Sequence, residues 1–102
     1  MIGGAVQLDI VDETLLVAEG VATTLSAAQV FDLPAWALLT AYNLACFTPP
    51  ARVRRLVVAA DRDKAGLRAA SALAERVDPL LEVEIAPPPA GFGDWNDFIR
   101  AG

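Results

Sequence analysis

The stretch VVAADRDKAG, residues 57–66, runs from greasy residues into two aspartates one position apart, then a lysine and a glycine. A continuous apolar run, strongest from Leu56 to Ala60, is the pattern of a strand covered on both faces. Beyond Asp63 the apolar residues change period. Leu67, Ala70, Leu73, Ala74 and Val77 form one helical stripe, and Pro79 lies just past its end. The spacing predicts strand, short acidic loop, helix. Asp61 and Asp63 therefore stand where a buried strand comes to the surface.

The same grammar extends in both directions. TLLVA (14–18) is a second buried run and stops at Glu19-Gly20. VATTLSAAQVF then sets Val21, Leu25 and Ala28 at helical spacing, and Pro34 closes the segment. AWALL (35–39) is a third buried run, ending at Thr40, and a short helix is expected around Leu44 to Phe47, halted by Pro49 and Pro50. At the margins, AVQLDI alternates with Val6, Leu8 and Ile10 on one face. LLEVEIA alternates with Glu82 and Glu84 facing out. Both read as edge strands. PPPAGFG reads as a stiff loop, and DWNDFIRAG as a last short helix with Asp94 near its cap.

Strands alternating with helices predict a mostly parallel sheet with right-handed crossovers. In such sheets the working groups lie beyond the carboxyl ends of the strands. Glu19, the Asp61–Asp63 pair, and Thr40 with Asn43 each follow a central strand, so all are expected on one rim.

The totals narrow the chemistry. The 102 residues suit one domain, and 55% of them are apolar, so a core is affordable and a disordered tail is excluded. No apolar run approaches the roughly 20 residues that span a bilayer, and the N-terminus lacks a signal-peptide pattern. A soluble, cytoplasmic protein with no membrane partner is the expectation. The single Cys46 cannot build a disulfide framework and is read as a core residue. Histidine is absent, which removes Ser-His and Cys-His couples and the usual zinc sites. Catalysis must rest on carboxylates, lysine, tyrosine or a hard metal held by oxygens. The net charge of −5 disfavours unaided nucleic-acid binding, since phosphate affinity comes mainly from cations.

Clustered carboxylates have a physical cost. Two unit charges about 4 Å apart repel by roughly 4 kcal/mol at an effective dielectric near 20. Either one acid takes up a proton or a divalent cation neutralises the group. Magnesium suits an Asp-x-Asp pair, since it takes one or two carboxylates plus waters and phosphates. A glutamate on another strand can then serve in proton transfer. Each acid also has an ordinary structural use: Asp63 as a helix cap, Asp61 paired with Arg62 or Lys64, Glu19-Gly20 as a strand end. Lys64 and Arg68 sit in the first turns of the long helix, where the macrodipole disfavours cations. Contact with phosphate or with the nearby aspartates would explain that placement, and so would plain surface charge. Arg52, Arg54 and Arg55 fall at the opposite rim, facing solvent or a partner domain.

LLVAEGVATTLSA, LVVAADRDKAGLRAA and DWNDFI together resemble a Toprim domain, of the kind in primase and primase-helicase proteins of phages, plasmids and bacteria. The resemblance covers 14–99 as a Toprim core, with 1–13 as edge strand and lead-in of a single domain. It implies a compact, Rossmann-like α/β fold, with a mostly parallel sheet of about four strands between helices. It implies magnesium, with manganese as substitute, and nucleotidyl-transfer chemistry at phosphodiester bonds. Nucleotides and a single-stranded DNA template are the implied substrates, and other primase or helicase domains the implied partners. Glu19 matches the family's general acid or base, and Asp61 and Asp63 its metal pair. Asp94 and Asp97 fall where primase relatives carry a further acidic motif. Gly20 and Gly66 match glycines that let backbone approach the site, and Arg62, Lys64 and Arg68 stand as phosphate contacts. One departure is Ala22, where many relatives have a second acid after Glu-Gly. The chain also lacks a zinc-binding or helicase segment, as expected of an excised domain or the remnant of a larger gene.

Two other functions compete. A haloacid-dehalogenase-like phosphatase also uses Asp-x-Asp after a strand, but expects Thr or Val where this chain has Ala65. A catalytically weak or inactive Toprim module could bind a partner or single-stranded DNA, with Trp36, Tyr42, Phe92 and Trp95 as stacking candidates. Of these, Trp36 reads more readily as core.

Overall fold

Successive side chains of a strand point to opposite faces, and two strands show why both faces of this sheet are covered. β2 (Thr14–Ala18) sends Leu15 and Val17 one way and Leu16 and Ala18 the other. β4 (Arg55–Val58) does the same with Leu56 and Val58 against Val57. All seven of these residues are at 0% exposure, so the sheet is the middle layer of three.

The computed structural model describes residues 6–7, 13–77, 79 and 81–101. The elements in chain order are β1 (Val6–Gln7), β2, α1 (Val21–Phe31), β3 (Ala35–Ala37), α2 (Ala41–Cys46), β4, α3 (Lys64–Arg76), β5 (Glu82–Ile85) and α4 (Trp95–Ala101). Across the sheet the order is β1-β3-β2-β4-β5. β3, β2, β4 and β5 form a four-strand parallel sheet flanked by helices, and β1 adds antiparallel to β3. This is the predicted α/β class. Leu8 and Ile10 of the expected first edge strand lie outside the described residues. No described helix is long and apolar enough to cross a membrane.

The chain leaves β2 toward β3 and later returns to β4 on β2's other side. α1 and α4 pack together over one face, and α2 and α3 over the other. The crevice between the carboxyl ends of β2 and β4 is therefore a topological switch point, where α/β sheets bind ligands.

One helix buries a face other than the one expected. In α1, Val21 and Leu25 are exposed, at 41% and 54%, while Thr23, Thr24, Ser26 and Ala27 are buried where the helix packs on the sheet and α4. The inward residues are small, and the hydroxyls of Thr24 and Ser26 have partners. Thr24 Oγ1 donates to the Gly20 carbonyl at 2.6 Å, and Ser26 Oγ donates to Asn96 Oδ1 at 3.2 Å. Satisfied hydroxyls bury at little cost, and small side chains let the helix lie close over Leu16, Ala18, Ala35, Val57 and Ala59. In α3 the expected stripe is largely inward, with Ala70 and Leu73 buried, Ala74 and Val77 half-buried, and Gly66 and Ala69 buried beside them, while Leu67 is exposed. Cys46, read as core, is only half-buried.

Candidate metal centre

β2 and β4 are adjacent and in parallel register, with Val17 opposite Val58. Glu19 and Ala60 each lie two residues beyond that pair, so Glu19 stands beside the start of the Asp61 loop. The Ala59 N–H donates to the Val17 carbonyl at 2.9 Å, extending the pairing toward the rim. On Glu19's other side, the Leu39 N–H donates to the Glu19 carbonyl at 2.6 Å. The loops after β3, β2 and β4 are thus brought to one rim, as the alternation predicted.

Asp61 is the centre of the acids. Its Oδ1 is buried and accepts no hydrogen bond among the described residues. Burial pushes its pKa up from 3.8 to about 6, and the charges of Glu19, Asp94, Asp63 and Asp97 push the same way. All the acids singled out in the sequence therefore act on one carboxylate. Pairing of Asp61 with Arg62 or Lys64 does not occur among the described residues. The Arg62 guanidinium instead donates to the Pro88 carbonyl, and its N–H donates to the Gly93 carbonyl at 2.7 Å.

Those Arg62 bonds tie the proline-rich loop to the site. Trp95 fixes the loop's far end. It is buried, its Nε1 donates to the Ala86 carbonyl at 2.9 Å, and its ring meets Phe31 and Phe98 edge-on at 5.2 and 5.7 Å. Asp94 caps α4, its Oδ1 accepting from the Asp97 N–H at 2.8 Å. Trp95 is thus an anchor and no base-stacking residue. Phe92 packs against Phe98 at 5.4 Å, and Trp36 against Phe47 at 6.0 Å. Of the four aromatic candidates only Tyr42 is largely exposed. Sequence reading missed the anchoring roles of Arg62 and Trp95, although a tryptophan beside a proline run was a usable signal.

Asp63 does cap α3. Its Oδ1 accepts from the Gly66 N–H at 2.6 Å, which leaves Oδ2 for another partner. Gly66 is needed for packing. A Cβ there would lie 2.8 Å from the Asp61 carbonyl oxygen and 3.1 Å from Asp63 Oδ1. Gly20 differs, since a Cβ there would meet nothing within 4 Å. Lys64 and Arg68 are exposed on the first turns of α3. Ala22 is exposed too, and no acid occupies the first turn of α1. Thr40 and Asn43 brace their own loop. The Asn43 N–H donates to Thr40 Oγ1 at 3.0 Å, and Asn43 Nδ2 donates to the Leu38 carbonyl at 2.8 Å. At the opposite rim, Arg55 pairs with Glu82 and Glu84 at 3.5 and 2.7 Å.

A buried, unpartnered carboxylate oxygen among four other negative charges fits a hard divalent cation. Among the described residues no three acids already converge at ligating distance. Magnesium commonly takes only one or two carboxylates and completes its shell with water and phosphate.

No curated protein matches the chain significantly. Among solved structures, the primase fragment of the bacteriophage T7 primase-helicase protein superposes with a TM-score of 0.75 at 20% identity, over 93% of this chain and 41% of that one. A DNA primase domain from Pseudomonas aeruginosa superposes with a TM-score of 0.61 at 23% identity, over 89% of this chain and 30% of that one. The chain thus spans less than half of either structure, and at such identities the likeness speaks to the fold. The family itself is given by the sequence model described as the Toprim domain, which matches residues 14–102; with Glu19 and the Asp61–Asp63 pair at the switch-point rim, the chain belongs to the Toprim domain family.

Proposed function

We propose that residues 1–102 are a single magnesium-dependent nucleotidyl-transfer domain of a primase-like protein, acting at phosphodiester bonds of nucleic acid. The observation that carries this reading is the buried, unpartnered Asp61 Oδ1, pressed by four other carboxylates. Asp61 and Asp63 hold the cation, with Asp94 and Asp97 adding negative potential from the other side. Magnesium, or manganese in its place, would supply relief of the negative charge that develops on phosphate oxygens. Glu19, on the neighbouring strand, takes the proton from the attacking hydroxyl. Lys64 and Arg68 reach toward phosphate, where cations at a helix start are otherwise disfavoured. Arg62 acts mainly by holding the proline-rich loop, and with it Asp94, against the site. The substrates are nucleotides on a single-stranded template in the cytoplasm, and other primase or helicase domains complete the assembly.

Calorimetry tests the site directly. The double change Asp61→Asn, Asp63→Asn is expected to abolish magnesium binding while circular dichroism still reports the folded domain. Binding retained by the folded double variant would refute the assignment. A second reading, a Toprim module without chemistry that binds a partner or single-stranded DNA, is favoured by the exposed Ala22. Primer synthesis on a single-stranded template, compared with and without magnesium, separates the two.

A further inference from the structure

The carboxyl rim carries a feature that phosphate chemistry does not use. Leu39 is 46% exposed and Tyr42 75% exposed, beside a site of hard charges. Single exposed apolar residues are ordinary, but these two stand on a braced segment. Leu39 has φ of +77°, a left-handed conformation that leucine rarely adopts. Its N–H is bound to the Glu19 carbonyl, and Thr40 and Asn43 pin the segment from either side. Leu39 is therefore fixed one backbone hydrogen bond from Glu19. Tyr42 follows in the first turn of α2, which packs against α3, whose first turns carry Lys64 and Arg68.

Three chemistries thus share the rim: an apolar and aromatic surface, a row of acids, and exposed cations. A metal or a free phosphate has no use for the first. Of the other exposed large apolar residues, Val21, Leu25 and Val30 stand on α1, over the opposite face of the sheet, and Leu67 stands on α3, so the local surface falls far short of the roughly 800 Å² per partner of a stable protein interface. A nucleobase needs a surface of this size, because any base has a π-face to stack. We propose that Leu39 and Tyr42 form a stacking shelf for the nucleobase of the nucleotide whose phosphate lies at Glu19 and Asp61. The shelf rests on the nucleotidyl-transfer reading and adds to it the position of the base.

Tyr42 is the chain's single tyrosine, so its ring signals in a selectively labelled sample identify themselves. The whole chain, with magnesium, is titrated by NMR with a thymidine oligonucleotide, an abasic oligonucleotide of equal length, and a nucleoside triphosphate. The Tyr42 ring and Leu39 methyl signals are expected to move with base-bearing probes and to ignore the abasic one. Response to the oligonucleotide places a template base on the shelf, response to the triphosphate an incoming nucleotide, and either supports it. Tyr42→Ala is expected to weaken the base-bearing probe about tenfold and leave the abasic one unchanged, with Tyr42→Phe close to the parent. Equal response to abasic and base-bearing probes overturns the shelf, as does silence of Tyr42 at millimolar probe. Tyr42 shifts that follow protein concentration alone would make a second copy the occupant, which also overturns it. Failure of the underlying reading shows elsewhere, as Asp61 carboxyl signals indifferent to magnesium whatever Tyr42 does.

Discussion

Replacing Asp61 by asparagine is predicted to make the metal-free fold more stable at neutral and alkaline pH, even as it removes the proposed metal ligand. Most substitutions at half-buried polar positions destabilise, so the sign is diagnostic. The folded state raises the Asp61 pKa from 3.8 to about 6. The folded protein therefore holds this proton more tightly than the unfolded chain does. Below pH 3.8 both states are protonated and no penalty exists. As pH rises from there to about 6, the unfolded chain ionises freely and the folded one resists, so stability falls. Above about 6 the penalty is complete. A shift of this size corresponds nominally to about 3 kcal/mol. Asp61 is only half-buried, so solvent screening reduces that to about 1–2 kcal/mol.

The assay is urea unfolding followed by tryptophan fluorescence, in chelator, at pH 4.5 and pH 8. Trp95 is buried against the site loop and reports its release. At pH 8 the Asp61→Asn variant is expected to gain about 1–2 kcal/mol, or roughly 5–10 °C in Tm for a domain of this size. At pH 4.5 the gain falls to about a third of that, because the unfolded aspartate is then only partly beyond its own pKa. Adding magnesium raises the parent and leaves the variant unmoved, so the gap closes. A variant no more stable than the parent at pH 8, or a gain equal at both pH values, would refute the electrostatic account of Asp61.

The remaining predictions test the surroundings. Gly66→Ala is expected to cost about 1–3 kcal/mol by urea unfolding, since its Cβ meets the Asp61 backbone at 2.8 Å. Gly20→Ala, where the added carbon meets nothing, is expected to change stability by less than about 1 kcal/mol in the same assay, because the stiffer unfolded chain is offset by alanine's poorer fit at the α1 N-cap. Glu19→Gln removes the largest single charge acting on Asp61 and is expected to lower the Asp61 midpoint in a carboxyl NMR titration. Leu56→Ala, in the sheet centre at 0% exposure, is expected to lose about 2–5 kcal/mol in denaturant.

How far the sequence carries can be read from particular residues. β2 matched its run from Thr14 to Ala18 because its buried part, Leu15 to Ala18, is covered on both faces and so is wholly apolar. β3 stopped at Ala37, short of the apolar run, because Leu39 turns to positive φ and its N–H bonds to Glu19. α2 began earlier than the apolar residues suggested, because the side chain of Thr40 caps it. α1 shows the deeper limit. A hydrophobic stripe predicts which face is inward only when burial of large apolar side chains decides the packing. Here the sheet beneath offers alanines at 18, 35 and 59 beside Leu16 and Val57, and hydroxyls that satisfy themselves on Gly20 and Asn96 bury without loss. Threonine and serine therefore took the inward face, and no periodicity count of apolar residues could have shown it.

The site was legible for a different reason from the fold. Acids that stabilise a helix start can be explained one at a time, and the structure bears out that use for Asp63 and Asp94, which cap α3 and α4. Capping does not explain Asp61, which caps nothing and has a buried oxygen with no hydrogen-bond partner. What the sequence could not give was the long-range closure that makes Asp61 costly. Asp94 reaches it only because Trp95 is pinned under Ala86 and Arg62 grips the Pro88 and Gly93 carbonyls. The fold thus uses an arginine and a tryptophan, neither of them a ligand, to press a fourth and fifth carboxylate toward an already crowded one. The cation proposed at Asp61 would be the charge that compensates this crowding.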